Sequence, residues 1–580
     1  MNSMDNSPLN LSPKSGPARP ESLQRITRTS EEISAWLCSQ LAAMLGFDAD
    51  AIDVREPFIG YGLGSLQGIG MVGDLEEWLG LRLSPTILYE YPCIAELAAH
   101  LARQQRSCVE DSGPDEAAVR FAGHGNGRKM SDDAVLDPAI YAALGPLHQV
   151  REPAAIFLTG ATGYLGAFLL YELLRQTEAR VYCLVRCSEP GAGRRRLQEN
   201  LEAHSLWDEK FASRIIAVAG DLSRPLLGLQ PGEFHLLAGE VDAIYHSGAA
   251  VNYLYPYSAL RATNVLGTQE VLRLSTCARV KPVHYVSTLG VMYAADSTEP
   301  RVVCEHDPLE PCESLYLGFG YARSKWVAEQ LVLTGRSHGL PVCIYRPALI
   351  TGDSRAGRWN TDDLLCRLIK GCIQLGRAPE LDITLDMVPV DYVSRAIAHL
   401  SGQPESVGKT FHLTNPRPLH WQELTTWMRS FGYAVEQSAY SDWQGELVDS
   451  TSHSKGNALE PLLPFFTEKV SEKQMSIPEM YSQAKIPRFD CRNTRQGLRD
   501  TSITCPSIDD RLLGTYFSYF IRSGFLDPPG AADALASSRA GNSVHPATPG
   551  RRNLRAVEGE VPRLKNEADV EDGVASRPPL

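Results

Sequence analysis

Apolar residues recur at helical spacing through SEEISAWLCSQLAAMLG, which opens at Ser30 with a serine and two acids, the signature of an N-cap and a first turn favouring negative charge. The pattern predicts a helix from Ser30. Two further runs, EPFIGYGLGSLQGIGMVGDLEEWLG and SPTILYEYPCIAELAAHLARQ, complete a set of helices that can close around one small core, a bundle of about 75 residues. From 106 to 140 the sequence turns polar, Gly-containing and aperiodic, the composition of a linker. At Ala154 the pattern changes again. The apolar run AAIFL predicts a buried strand, and it meets a turn spaced by Gly160, Gly163 and Gly166 before an amphipathic helix from near Tyr164.

Strand and helix then alternate. VYCLVRC (Val181–Cys187), IIAVAGDLS ending in Asp221 and Leu222, VDAIYHSGAAVNY (Val241–Tyr253) and VHYVSTLGVMY, which carries Ser287 and Thr288, are strands; NVLGTQEVLRLSTC and YARSKWVAEQLV are helices. This order predicts an α/β architecture, a small four-helix bundle followed by a Rossmann-type doubly wound parallel sheet. Past Ile350 the pattern is irregular, with helices near Leu364–Leu375 and Trp421–Phe431, and is read as a C-terminal mixed α/β substrate lobe. The expected division is 1–28 a disordered tail, 29–105 the bundle, 106–140 the linker, 141–525 the nucleotide-binding body with its lobe mainly in 353–380 and 401–525, and 526–580 a second disordered tail.

Composition narrows the functional classes. At 580 residues the chain exceeds one core, and a net charge of -13 disfavours a nucleic-acid partner. The thirteen cysteines form no CxxC pair and have no histidine partner at ligand spacing, so neither disulfides nor a metal site is expected. The N-terminus lacks an apolar segment of the export type, and no run approaches eighteen apolar residues; no membrane association and a cytoplasmic location are expected.

Strand, GxxGxxG and helix in that order suit a dinucleotide, because glycines let backbone N–H groups reach a pyrophosphate and the helix start favours its charge. Any tight strand-to-helix connection can carry such glycines, so the surrounding residues decide. Arg186, at the end of the second strand, pairs with a ribose 2′-phosphate where an acid would prefer the free hydroxyl, and this favours NADPH over NADH. Arg194, Arg195 and Arg196 follow on a helix; they read as a solvated basic face or, for Arg196, as a second clasp on that phosphate. Asp221 and Leu222 end a strand where adenine can lie, and the small residues Ser247 to Ala250, Ser247 and Ala249 among them, permit close approach of the cofactor. Tyr321 and Lys325 lie four apart on one helix face, where an ammonium can stabilise a phenolate and bring tyrosine proton exchange toward neutrality. Thr288 can donate a hydrogen bond to the same substrate oxygen. YxxxK recurs by chance in a chain with 22 tyrosines; its position after the glycine turn and after a strand ending in Ser-Thr gives it meaning.

Residues 30 to 104 resemble an acyl carrier domain through LGSL at Leu63–Leu66, PTILYEYP at Pro85–Pro92 and the closing AELAAHLA. The resemblance implies 4′-phosphopantetheine on Ser65, which otherwise reads as an N-cap. A phosphodiester at a helix start sits at the favourable end of the dipole. The family's usual Asp before this serine is here Gly64, which bears on recognition by the phosphopantetheinyl transferase. FLTGATGYLG, VYCLVR, GDL, HSGAAVN, NVLGT, VSTLGV, YARSKWVAE, YRPALITGDSRAG, WNTDDLLCRLIKGCIQLG and VPVDYVSRAIAHL resemble the extended short-chain dehydrogenase/reductases, and among them the thioester reductase domains that end polyketide and nonribosomal peptide assembly lines and carboxylic acid reductases. That resemblance implies Thr288, Tyr321 and Lys325 as catalytic residues. It places Gly160, Thr162, Gly163, Tyr164, Leu165, Gly166, Arg186, Arg196, Asp221 and Leu222 around NADPH, with Tyr321 and Lys325 also against the cofactor, Lys325 holding its ribose, and Pro347 closing over the nicotinamide.

Together these imply NADPH-dependent release of a carrier-bound acyl or peptidyl thioester as an aldehyde, or onward to an alcohol, in secondary-metabolite biosynthesis. An upstream acyl-loading or synthetase enzyme must supply the chain. Two other readings stay open: reduction of a ketone on the tethered chain without release, and a non-catalytic NADP-binding sensor or scaffold. The run LEPLLPFFTE (Leu459–Glu468) reads as an acyl pocket wall or as ordinary helix packing.

Overall fold

The computed structural model describes residues 28–110, 130–142 and 152–530, apart from 294–300, 312–319, 470–474 and shorter stretches, several of them in the carrier region. Both tails expected at 1–28 and 526–580 fall almost wholly outside the described residues, as does Gly64.

Four helices form the N-terminal bundle: α1 (Ser30–Leu45), α2 (Ser65–Leu79), α3 (Ile87–Glu90) and α4 (Ile94–Glu110). The cap of α1 lies one residue earlier than the sequence pattern suggests. Thr29 Oγ1 accepts from Glu32 N–H at 3.2 Å while Thr29 N–H donates back to the Glu32 carboxylate at 2.8 Å, a reciprocal pair that leaves Ser30 as the first helical residue. Ile33, Leu37 and Leu41 of α1 meet Met71 and Leu75 of α2 and Leu97 and Leu101 of α4 in one buried cluster.

The body is a seven-stranded sheet of β1 (Ala155–Thr159), β2 (Arg180–Val185), β3 (Ile215–Ala219), β4 (Ala243–His246), β5 (Val283–Val286), β6 (Val342–Pro347) and β7 (Thr410–Leu413). Across the sheet they run β3-β2-β1-β4-β5-β6-β7, and every pair is parallel. The fold is therefore doubly wound, with its order reversing between β1 and β4, where open α/β sheets bind ligands. One face is covered by α5 (Tyr164–Gln176), α6 (Pro190–Ala203) and α10 (Val390–Ser401), whose Leu169, Leu197 and Ile397 share a core with Ile156 and Leu158 of β1. The other is covered by α7 (Pro231–Glu240), α8 (Gly267–Thr276) and α9 (Gly320–Ser337), whose Phe234, Leu272 and Leu331 pack on Phe157.

A third core belongs to the lobe. Helices Leu364–Leu375, Trp421–Ser430, Tyr440–His453 and Asp510–Arg522 enclose Trp359, Trp421, Trp443, Phe466, Tyr516 and Phe520. The lobe boundary expected at 401 is corrected: β7 at Thr410–Leu413 pairs with β6, and Leu498, Ile503 and Cys505 pack into the α10 side of the sheet body. All four residues of β7 are buried, so the strand shows no alternation to read.

Candidate active site

Packing at the β1–β4 switch point demands glycine. Gly160 has φ +80, and a Cβ there would stand 2.7 Å from Gly248 Cα; a Cβ on Gly166 would stand 1.9 Å from the Gly160 carbonyl oxygen. The turn, the start of α5 and the end of β4 thus touch backbone to backbone, a cradle that any side chain would fill. Gly163 is the N-cap of α5 and offers no side-chain cap, which leaves the helix start open to an anion. A buried chain of hydrogen bonds fixes the cradle from below. Thr159 Oγ1 accepts from Gly248 N–H at 2.9 Å and donates to His246 Nδ1 at 2.7 Å. His246 Nε2 in turn donates to Thr268 Oγ1 at 2.9 Å, whose own hydroxyl donates to the Asn264 carbonyl at 2.6 Å. Burial first, and then the Lys325 charge, push the His246 pKa down to about 3, so the ring stays neutral and keeps this pattern.

The remaining cofactor candidates surround this cradle. Thr162 is partly exposed in the turn, Leu165 packs toward the core, and the Tyr164 hydroxyl reaches the Thr351 and Arg358 carbonyls at 3.0 and 2.7 Å, leaving its backbone N–H for a ligand. Arg186 and Arg196 come together because Arg196 Nη1 donates to the Arg186 carbonyl, so two exposed guanidinium groups stand at the end of β2. Arg194 instead donates to the Ala212 carbonyl and Arg195 faces Glu189. Asp221 Oδ1 accepts from Ser223 N–H and Oγ–H, both at 2.8 Å, fixing the turn that lays Leu222 against Gly248 and Gly267. Ser247 and Ala249 are partly exposed just beyond β4, and Pro347 ends β6, buried. Open helix start, glycine cradle and paired arginines fit a phosphorylated dinucleotide.

Beside the cradle, β5 delivers Thr288 and α9 delivers Tyr321 and Lys325. Thr288 caps the short turn Leu289–Met292 by accepting from Gly290 N–H at 3.2 Å, which leaves its own proton to donate. Lys325 Nζ donates to the Val286 carbonyl at 2.8 Å and lies 4.3 Å from the Tyr285 ring centroid. Burial drives the Lys325 pKa down to about 7, against the pull of Glu329. The expected lowering of the Tyr321 pKa is not what the structure shows: burial raises it to about 12, while the Lys325 ammonium donates to the Val286 carbonyl. A phenol held protonated is the form that a reduction needs, since the new oxyanion must receive a proton.

Residues overlooked in the sequence tie these elements together. Asn264 lies in a π-helical turn, Ala262–Leu266, ahead of α8. Its amide exchanges hydrogen bonds with the Ala250 backbone at 2.8 and 3.0 Å and donates to Ser324 Oγ at 2.9 Å, and Ser324 donates to the Tyr321 carbonyl at 2.7 Å. Ser287 Oγ donates to Glu329 Oε2, and Arg346 Nε donates to Glu329 Oε1 at 2.9 Å. Arg346 Nη1 also donates to His412 Nε2 at 3.2 Å, so the ring proton sits on Nδ1 and goes to the Asp490 carbonyl at 2.9 Å. Glu329 lies one turn beyond Lys325, the only sequence signal that could have singled it out. Toward the lobe, the Tyr253 ring stands 6.4 Å from Tyr321 and 6.4 Å from Phe465. Both phenylalanines of LEPLLPFFTE are therefore buried in the lobe core, and Phe465 is also the second aromatic layer from Tyr321.

Residues 35–101 match the family described as "Phosphopantetheine attachment site", and 158–397 match "Male sterility protein". The chain is 47% identical to the terminal R domain of the myxalamid PKS-NRPS biosynthetic pathway, whose crystal structure it matches with a TM-score of 0.63 over 69% of this chain and 98% of that one. The linear gramicidin synthase of Brevibacillus parabrevis contains a polypeptide 38% identical over 85% of this chain and 9% of its own length. L-2-aminoadipate reductase of Schizosaccharomyces pombe is 32% identical over 83% of this chain and 34% of its own. The chain spans less than half the length of such curated relatives. Among the described residues no helix is long and apolar enough to cross a membrane.

Proposed function

The chain belongs to the terminal reductase family of nonribosomal peptide and polyketide synthetases, a phosphopantetheine-attachment domain followed by an NAD-binding reductase, and from that premise we propose that it releases its carrier-bound acyl or peptidyl chain by NADPH-dependent reduction of the thioester. The observation that supports this reading is the joining of Ser65, first residue of a fifteen-residue helix, to a body in which Thr288 follows β5, Tyr321 and Lys325 stand on α9, and a glycine cradle lies at the β1–β4 switch point. Ser65 would carry the pantetheine arm at the helix start, where its phosphate is favoured.

A dinucleotide held by the glycine turn, the start of α5 and Arg186 and Arg196 would, when bound, supply the hydride for the thioester carbonyl carbon. Thr288 donates a hydrogen bond to the carbonyl oxygen, and Tyr321, kept protonated by burial, gives that oxygen its proton as negative charge develops. The tetrahedral carbon then forms its carbonyl as the C–S bond breaks, the hydroxyl proton is passed on to the departing sulfur, and an aldehyde and a free thiol result. Lys325 holds the strand end through the Val286 carbonyl and, as an ammonium, offsets the charge that Tyr321 acquires. Arg186 and Arg196 favour the 2′-phosphate over a bare ribose. Loading falls to an upstream synthetase module and priming to a phosphopantetheinyl transferase.

The test is direct: prime the chain with a synthetic acyl-coenzyme A and a phosphopantetheinyl transferase, add NADPH, and follow both the carrier mass and the released product. Loss of the acyl group, a bare thiol on Ser65 and an aldehyde or alcohol in solution are expected. A reduced acyl group still attached to the carrier would refute release.

A further inference from the structure

Among the described residues the carrier bundle touches the body through the loop before α2, through α2 and through α3. Arg224, just past the Asp221–Leu222 turn, donates from Nη2 to the Glu56 carboxylate at 3.1 Å, joining the loop before α2 to the rim of the body. Helix α3 lies against the short helix Tyr257–Arg261, and α2, which begins at Ser65, lies against Glu460–Leu462. These last two body segments are the ones that flank the reacting groups. Tyr257–Arg261 packs on α9, and its Leu260 shares a small apolar cluster with Tyr255 and Tyr321. Glu460–Leu462 runs directly into Leu463–Thr467, whose Phe465 faces Tyr253 and through it Tyr321. Charge agrees with the pose: between residues 30 and 104 the chain has eleven Asp and Glu against three Arg and no Lys, and a cationic side chain receives it.

Resting on the reading of reductive release, we propose that this is the delivery pose: the chain's own carrier docks on the body through Glu56–Arg224 on one side and α2 and α3 on the other, and Tyr257–Arg261 and Glu460–Thr467 are the two jambs between which the thiol arm passes to Tyr321. The ion pair is exposed, so its part is to set the register of docking and to raise the frequency of productive visits more than to hold the domains together.

A charge-swap cycle in the full chain tests the pose, comparing turnover of a carrier-loaded acyl group with turnover of the same acyl group on free pantetheine. Arg224→Glu and Glu56→Arg are each expected to slow the carrier-loaded reaction about three- to tenfold and to leave the free thioester reaction unchanged, and the double swap to recover most of the loss. Added salt is expected to slow only the carrier-loaded reaction. Unchanged carrier-loaded rates in both single variants, or a double swap no faster than the singles, would overturn the pose. A wild-type chain that oxidises NADPH with neither substrate would instead refute reductive release, and the docking with it.

Discussion

At the residue scale, the tyrosine proposed as the proton donor is a loaded acid. With its pKa pushed up to about 12, Tyr321 holds its proton across the physiological range, and Tyr321→Phe is expected to lower turnover of the loaded chain by about 10²–10⁴-fold while NADPH binding, read by cofactor fluorescence, is kept. Lys325 gives a pH signature in the apo protein. Its pKa is near 10.5 when unfolded and about 7 when buried, so below pH 7 the folded state bears the full cost of a desolvated ammonium, and that cost is relieved as pH rises from 7 toward 10.5. Urea denaturation across that window should show a rising contribution of a few kcal/mol that Lys325→Met abolishes. Arg186→Ala with Arg196→Ala is expected to weaken NADPH binding by about tenfold or more and to change NADH binding little, measured by titration with both cofactors.

At the element scale, β5 and α9 must hold one register, because Thr288 comes from one and Tyr321 and Lys325 from the other. Lys325 grips the Val286 carbonyl and Glu329 grips the Ser287 hydroxyl, the last residue of the strand and the one after it held by two consecutive turns of helix. Glu329→Gln strands the buried Arg346 guanidinium and is expected to cost about 3–5 kcal/mol in chemical denaturation, whereas replacing both partners by apolar residues should recover much of that loss. Ser287→Ala leaves the ion pair whole and is expected to lower kcat more than it lowers stability. The glycine turn, the strand ends and the YxxxK helix were legible because each is local: their spacing states their geometry. The Glu329–Arg346–His412 chain was not, since its members lie on three elements that only the finished sheet brings side by side, and no spacing records that meeting.

At the scale of the molecule, the parallel sheet and the helical carrier followed from periodicity and from family resemblance, while the outline of the lobe did not. Thr410–Leu413 and the segment around Leu498 return to the nucleotide side after the chain has begun building the lobe, so lobe and sheet interleave along the sequence. Phe465 shows the same limit at smaller range: whether an apolar run is wall or filling depends on what faces it. Gly166→Ala is a prediction of global consequence, because a methyl group 1.9 Å from the Gly160 oxygen must push α5 off the turn, and both cofactor affinity and thermal midpoint are expected to fall together.

The position of β7 bears on biogenesis. The flank of β6 is closed by a strand that ends at Leu413, and the first strand of the same sheet starts at Ala155. While the ribosome is still translating the stretch between them, the nascent sheet presents β6 as a bare, apolar border able to recruit a neighbouring polypeptide. Stalled or prematurely terminated products ending before Thr410 should therefore partition into inclusion bodies, where the full-length product does not.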